Sequence, residues 1–259
     1  MYVWKCWRDS RARFIFFLIV ILAVCVPFTI YAGRPGGPTD FREGGPLSGV
    51  GHLWSWVSTV LLQTLIPLIV LFAALVLAPS SVGQEYKEQT LGFLFTRPRS
   101  RRYLNRTCWS VGACEILGLV VAAVLGTFGA LICVSRHVYA WRLLGAILPL
   151  FVGAVAVYSM TYSLTILTRS GEKGLSYGLG ILVVSLFLPL VELQLSPWLW
   201  HLSHGHALHL SSVLSLMWGG CGWVIAPEGG FPTGTFILYG VLTLAFPVFA
   251  QLILERREV

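Results

Sequence analysis

Charge is what this chain has least of: Asp, Glu, Lys and Arg make up only 11% of its residues, whereas 56% are hydrophobic. A soluble globule of 259 residues needs far more polar surface than that, so composition excludes one and places the chain in a bilayer. Also missing are a Cys-x-x-Cys pair and a GxxxxGK[ST] phosphate loop. The GEKG at Gly171 has neither the length nor the Ser or Thr of such a loop. The first absence leaves six cysteines without redox or ligand spacing. Cys25, Cys114 and Cys133 fall in apolar runs, Cys6 and Cys108 at their cytoplasmic margins and Cys221 in an outer segment, so small packing residues are expected. The second absence means that any ATP hydrolysis belongs to another polypeptide.

What the chain does have is apolar length. Crossing the hydrocarbon takes about 20 mostly apolar residues as helix, and six stretches qualify: about 14–32, 57–82, 107–135, 143–168, 175–195 and 233–254. The expected fold is an all-α polytopic membrane protein with six transmembrane helices, forming one domain over 1–259. Lys5, Arg8, Arg11 and Arg13 ahead of the first run imitate a secretory signal. That run exceeds the roughly 7 to 15 residues of a signal core, so an uncleaved anchor is expected.

The net charge of +7 is unevenly spread. With both termini cytoplasmic, fourteen Lys and Arg residues lie inside and four (Arg34, Arg42, Arg136 and Arg142) outside. This is the positive-inside pattern, so the basic charge reports orientation and not a nucleic-acid partner.

Within the spans, Pro67 and Pro79 in the second and Pro149 in the fourth each remove a backbone donor and mark places where a helix bends. The third carries Gly112, Gly118, Ala122, Ala123, Gly126, Gly129 and Ala130, small residues that let helices approach closely in lipid. It also carries Glu115, the acid set well inside a span and a functional candidate for that reason. The plainer alternative puts Glu115 near the inner headgroups, bonded to a neighbouring helix or to Arg106.

Between the last two spans, Ser196 to Pro232 reads as an outer interfacial or re-entrant segment flanked by Trp198, Trp200, Trp218 and Trp223. A seventh span there would put Arg256 and Arg257 outside. His201, His204, His206 and His209 lie within it, with no Cys, Asp or Glu among them. Polar-face residues are expected; a metal site is the alternative. All six histidines lie in outer segments or at their edges, which argues against an intramembrane protease, a diiron enzyme or a b-type cytochrome.

The most structured polar stretch is GQEYKEQTLGFLFTRPRSRR, Gly83 to Arg102, between the second and third spans. Taken as a helix over about 84–95, it sets Glu85, Glu88, Gln89 and Gly92 on one arc. Tyr86, Thr90, Phe93 and Leu94 fall on the opposite arc, with Leu91 and Phe95 at the margins. Pro98 ends the run, and Arg99, Arg101, Arg102 and Arg106 then suit anionic headgroups at about 1 kcal/mol each. A lipid-anchored amphipathic loop satisfies this pattern, with membrane lipid as the partner.

The residue order goes further. Glu85, Thr90, Leu91, Phe93, Leu94, Pro98, Ser100 and Arg101 stand where the cytoplasmic signature of ABC-2 type transporter permeases has an acid, a Thr-Leu step, an apolar pair, a proline, a small residue and an arginine. The stretch resembles that signature, and the six-span layout, the Gly/Ala-rich third span and the Ser170–Gly174 turn extend the likeness over most of the chain. Gln89 replaces the family's usual Gly, adding a side chain to the docking face, and Arg106 replaces a frequent Lys, keeping the charge.

The resemblance implies a membrane subunit of an ATP-driven exporter in a bacterial cytoplasmic membrane, with no cofactor and no catalytic residue of its own. Its partners would be a separate ABC ATP-binding subunit and a second permease subunit, identical or not. The 84–95 helix would be the coupling helix, with Glu85, Thr90, Leu91 and Phe93 as its main contacts and Glu88, Gln89, Leu94, Pro98 and Arg101 beside them. Ions, lipids, polysaccharides, peptides and drugs are all substrates consistent with it. The rival readings are a metal-binding membrane protein and a non-transporting scaffold.

Overall fold

A computed structural model describes residues 2–32, 61–62, 64–80, 83, 101–134, 140–184 and 233–256. Their regular structure is all helical: α1 (Tyr2–Ala32), α2 (Ile66–Leu77), α3 (Arg101–Val134), α4 (Ala140–Gly145), α5 (Ile147–Thr168), α6 (171–184) and α7 (Thr233–Arg256). Four stretches, Val3–Ala32, Asn105–Val134, Leu143–Thr168 and Phe236–Arg256, are long and apolar enough to cross a membrane. This is an all-helical membrane protein.

The helices overrun the apolar runs. α1 begins at Tyr2 and not near residue 14, so Lys5, Arg8, Arg11 and Arg13 belong to one continuous helix. At 1.5 Å per residue it is about 46 Å long, against about 30 Å of hydrocarbon. Likewise α3 starts at Arg101 and α6 at residue 171, ahead of the expected 107 and 175. Backbone hydrogen bonds within a helix are satisfied locally, so leaving the hydrocarbon does not end it; only a cap or a proline does.

The α5–α6 junction shows such an end. Arg169 adopts the left-handed conformation (φ 54°) that stops α5. Ser170 then accepts the Lys173 N–H at 3.4 Å and caps α6. The turn is therefore two residues, and the expected turn residues Gly171–Gly174 form the first turn of α6.

The prolines divide. Pro67 follows π-helical residues 61–62 and 64–65, with Leu65 itself in helical conformation, so it lies within a helical run as expected, whereas Pro79 lies in the turn that follows the helix. Pro149 falls in the first turn of α5, beyond a break at Ala146 that separates α4. Pro27 of α1 and Pro247 of α7 also lie inside helices.

Contacts fix the relative directions. Cys6 meets Cys108 and Ser10 meets Glu115, while Phe14 lies against Gly118 and Leu22 against Gly126, so α1 and α3 run parallel. Tyr162 reaches Asn105 and Trp109 reaches Ser159, so α5 runs opposite to α3. Ser163 bonds Phe246 and Ala156 packs on Tyr239, so α7 runs with α5. Gly174 and Gly178 lie against Thr165 and Thr161, making α5 and α6 an antiparallel hairpin. Phe17 meets Phe72, and an open groove of about 380 Å³ runs from Arg13 and Phe16 to Val76, so α2 opposes α1. Taken in order, α1, α2, α3, α5, α6 and α7 thus alternate in direction.

Close approach depends on missing side chains. A Cβ on Gly112 would lie 2.5 Å from Cζ and 2.7 Å from Cε2 of the Tyr158 ring. Tyr158 is 1% exposed and has nowhere to go. Gly112→Ala is expected to destabilise by about 1–3 kcal/mol through overpacking. Gly129→Ala, where nothing lies within 4 Å, is expected to leave thermal unfolding in detergent unchanged.

Candidate functional site

The alternation gathers charge at one end. The first turns of α1 and α3, the α5–α6 junction and the last turn of α7 bring Arg8, Arg11, Arg13, Arg102, Arg106, Arg169, Lys173 and Arg256 to it. Just within this basic end, buried polar side chains join four helices.

Asn105 is the hub. Its Nδ2 donates to the carbonyl of Pro247 at 3.3 Å, and its Oδ1 accepts from the Tyr162 hydroxyl at 2.8 Å, so one amide ties α3 to α7 and α5. Ser163 Oγ donates to the carbonyl of Phe246 at 2.8 Å. Pro247 offers no N–H to the preceding turn, and the two carbonyls that receive these bonds flank that gap. Trp109 Nε1 donates to Ser159 Oγ at 2.9 Å, and the Tyr158 and Tyr162 rings stack at 5.9 Å.

Outside this hub, Arg102 grips both oxygens of Glu255, at 2.7 and 3.2 Å, with Gln251 adding a bond at 2.9 Å. That hydrogen bond raises Arg102 above the ordinary guanidinium value.

The Glu115 carboxyl, 4% exposed, accepts from the Ser10 hydroxyl of α1. Ser10 lies between Arg8 and Arg11, so the parallel register sets Glu115 level with the charged start of α1. The plainer of its two expectations holds in part: the partner is a neighbouring helix, and it is not Arg106. Alongside, Cys6 and Cys108 bring their sulfurs to 2.9 Å, both 3% exposed.

The polar stretch meets the bundle here. Gly83, its first residue, bonds back to the Pro79 carbonyl at 3.0 Å. A Cβ on Gly83 would come within 2.8 Å of Gly171 Cα, so the two backbones touch where no side chain fits. Arg101, expected beside the docking face, is instead the first residue of α3. Glu85, Glu88, Gln89, Thr90, Leu91, Phe93, Leu94 and Pro98 lie outside the described residues. So does 196–232 with His201, His204, His206 and His209; among the described residues no three His, Cys, Asp or Glu side chains gather for a metal.

A family described as a protein of unknown function, DUF2705, matches residues 15–259. The chain belongs to this family. No curated protein and no solved structure matches it. The matched residues include Asn105, Glu115, Tyr158, Tyr162, Pro247 and the whole polar stretch, and leave out Cys6 and Ser10 at the start of α1.

Composition and charge did not single out Asn105, Tyr158, Tyr162 or Ser163. A signal was present: Asn105, Cys108, Gly112 and Glu115 recur at three- and four-residue steps along one face of α3. Asn105→Leu removes both interhelical bonds of the hub. With about 0.6 kcal/mol for an average intramembrane bond and about 1.7 at most, a loss of about 1–3 kcal/mol is expected, and Tyr162→Phe should cost less than half of it. Chemical unfolding in mixed micelles measures both. Ser10→Ala is expected to destabilise by about 1–3 kcal/mol, because the buried Glu115 carboxyl loses its donor. Glu115→Gln, which keeps an acceptor for Ser10, should be much milder.

Proposed function

We propose that this DUF2705 protein is the transmembrane permease subunit of an ATP-driven exporter of the ABC-2 type, with ATP bound and hydrolysed on a separate subunit. It would span a bacterial cytoplasmic membrane six times with both termini in the cytosol and would pair with a second permease subunit. The observation that carries this reading is how the polar stretch is anchored. Its order of acid, Thr-Leu, apolar pair, Pro and Arg is that of a coupling helix, and both of its ends are fastened to the bundle. Gly83 abuts Gly171 at the start of α6, and the stretch runs straight into α3, which Asn105 binds to α5 and α7.

A force applied at either described end of this stretch would reach helices that the Asn105 bonds join to one another. The charge distribution and alternating helix directions support the orientation. The missing phosphate loop supports a separate source of ATP hydrolysis.

Two outcomes are expected. Affinity purification of the tagged chain in mild detergent should recover an ATP-binding subunit, and replacing Glu85 and Leu91 together by Ala should abolish that recovery while the protein stays monodisperse. Unchanged recovery, or unchanged transport by an intact and well-expressed complex, would falsify the coupling role. A green fluorescent reporter fused after Val259 should fluoresce, and alkaline phosphatase fused within 196–232 should be active; the opposite pattern would reject the orientation.

A further inference from the structure

We infer that Cys6 and Cys108 form an oxidative modification site, at which a hydroperoxide converts the two thiols into a disulfide joining α1 to α3. The two residues are 102 apart in sequence, and their sulfurs stand 2.9 Å apart. Each side chain is 3% exposed, which bars bulky disulfides and admits a small oxidant. Beside them, the Ser10 hydroxyl of α1 donates to Glu115 of α3 and the Tyr158 hydroxyl of α5 donates to the Cys108 carbonyl at 3.4 Å, so the two helices are tied together next to the pair.

The chemistry closes without a metal. One thiol, as thiolate, attacks the peroxide; the O–O bond breaks, a sulfenic acid forms on that cysteine, and hydrogen peroxide leaves one oxygen there and one in water. The second thiol, as thiolate, then attacks the sulfenic sulfur, the S–S bond forms and a second water departs. Overall two thiols lose two electrons and two protons to the peroxide. Proximity of the second thiol makes this resolution faster than further oxidation to sulfinic acid.

The link would pin the N-terminal helix to the opening turns of α3, the helix that the polar stretch enters. A consequence for export rests on the permease reading; the sulfur chemistry does not, so the two fail separately. On the cytosolic side of a membrane such a disulfide would be transient and reversible by reductant, the behaviour of a sensor and not of a structural bridge.

The test uses the full chain, purified under reductant, desalted and exposed to hydrogen peroxide in detergent. Loss of two alkylatable thiols, a Cys6–Cys108 cross-linked peptide and recovery of both thiols with dithiothreitol are expected. Cys6→Ser should instead trap a dimedone-reactive sulfenic acid on Cys108. Where that variant folds poorly, Cys108→Ser reads the same event on Cys6. The inference is overturned if Cys6 and Cys108 stay alkylatable while Cys114 or Cys133 oxidises. It is equally overturned if the link forms as readily in chain unfolded beforehand, or if Cys6 and Cys108 pass to sulfinic acid without joining.

Discussion

The Asn105 side chain is the constraint on which the arrangement of α3, α5 and α7 rests. An apolar helix in lipid gains little by exchanging lipid contacts for helix contacts, so association needs either close packing or polar groups with no better partner. Asn105 supplies the second. Its Nδ2 donates to the Pro247 carbonyl and its Oδ1 accepts from the Tyr162 hydroxyl, and with the Ser163 bond to Phe246 it gathers polar atoms that lipid could not satisfy. Rotating α3 would leave several of these atoms unpaired at once, which is why the group behaves as one unit.

The α1–α3 pair obeys a different rule. Its contacts at Gly118 and Gly126 are to Phe14 and Leu22, so the apolar stretch is held by small residues facing large ones. Polar contacts cluster at the basic end, where Ser10 meets Glu115 and Cys6 meets Cys108, and Cys25 meets Thr127 further along. The parallel register makes α1 a ruler for α3: charges on α1 stop at Arg13, and Glu115 lies below that level. The carboxyl is buried there, and its bond to the Ser10 hydroxyl satisfies it.

Among the described residues hydropathy located the four helices that are long enough to cross a membrane, because apolar length is a property of each segment by itself. It misjudged their ends because helices such as α1 and α3 continue through water where no cap or proline stops them. Of the two prolines expected to bend the second apolar stretch, Pro67 lies within its helical run just after π-helical residues and Pro79 lies in the turn beyond it; position within a helix, not residue type, decides what a proline does. The layer joining Asn105, Tyr158, Tyr162 and Ser163 was harder to see. It carries no charge, and its partners lie 50 to 142 residues apart in sequence. Periodicity reports which face of one helix is special, but not which helix faces it. The polar stretch was legible through residue order, and its anchorage at Gly83 and Gly171 was not, because two glycines in contact leave no side-chain pattern to read.

These two kinds of attachment divide the bundle mechanically. α3, α5 and α7 are joined by hydrogen bonds with short reach, which break when a helix slides by an ångström or two. α1 meets α3 along most of its length, where Gly118 and Gly126 admit Phe14 and Leu22. The Cys6–Cys108 pair sits on the α1–α3 boundary, at the basic end. A covalent bond there would add a fixed link to a contact otherwise made by side-chain packing and by the bond between Ser10 and Glu115.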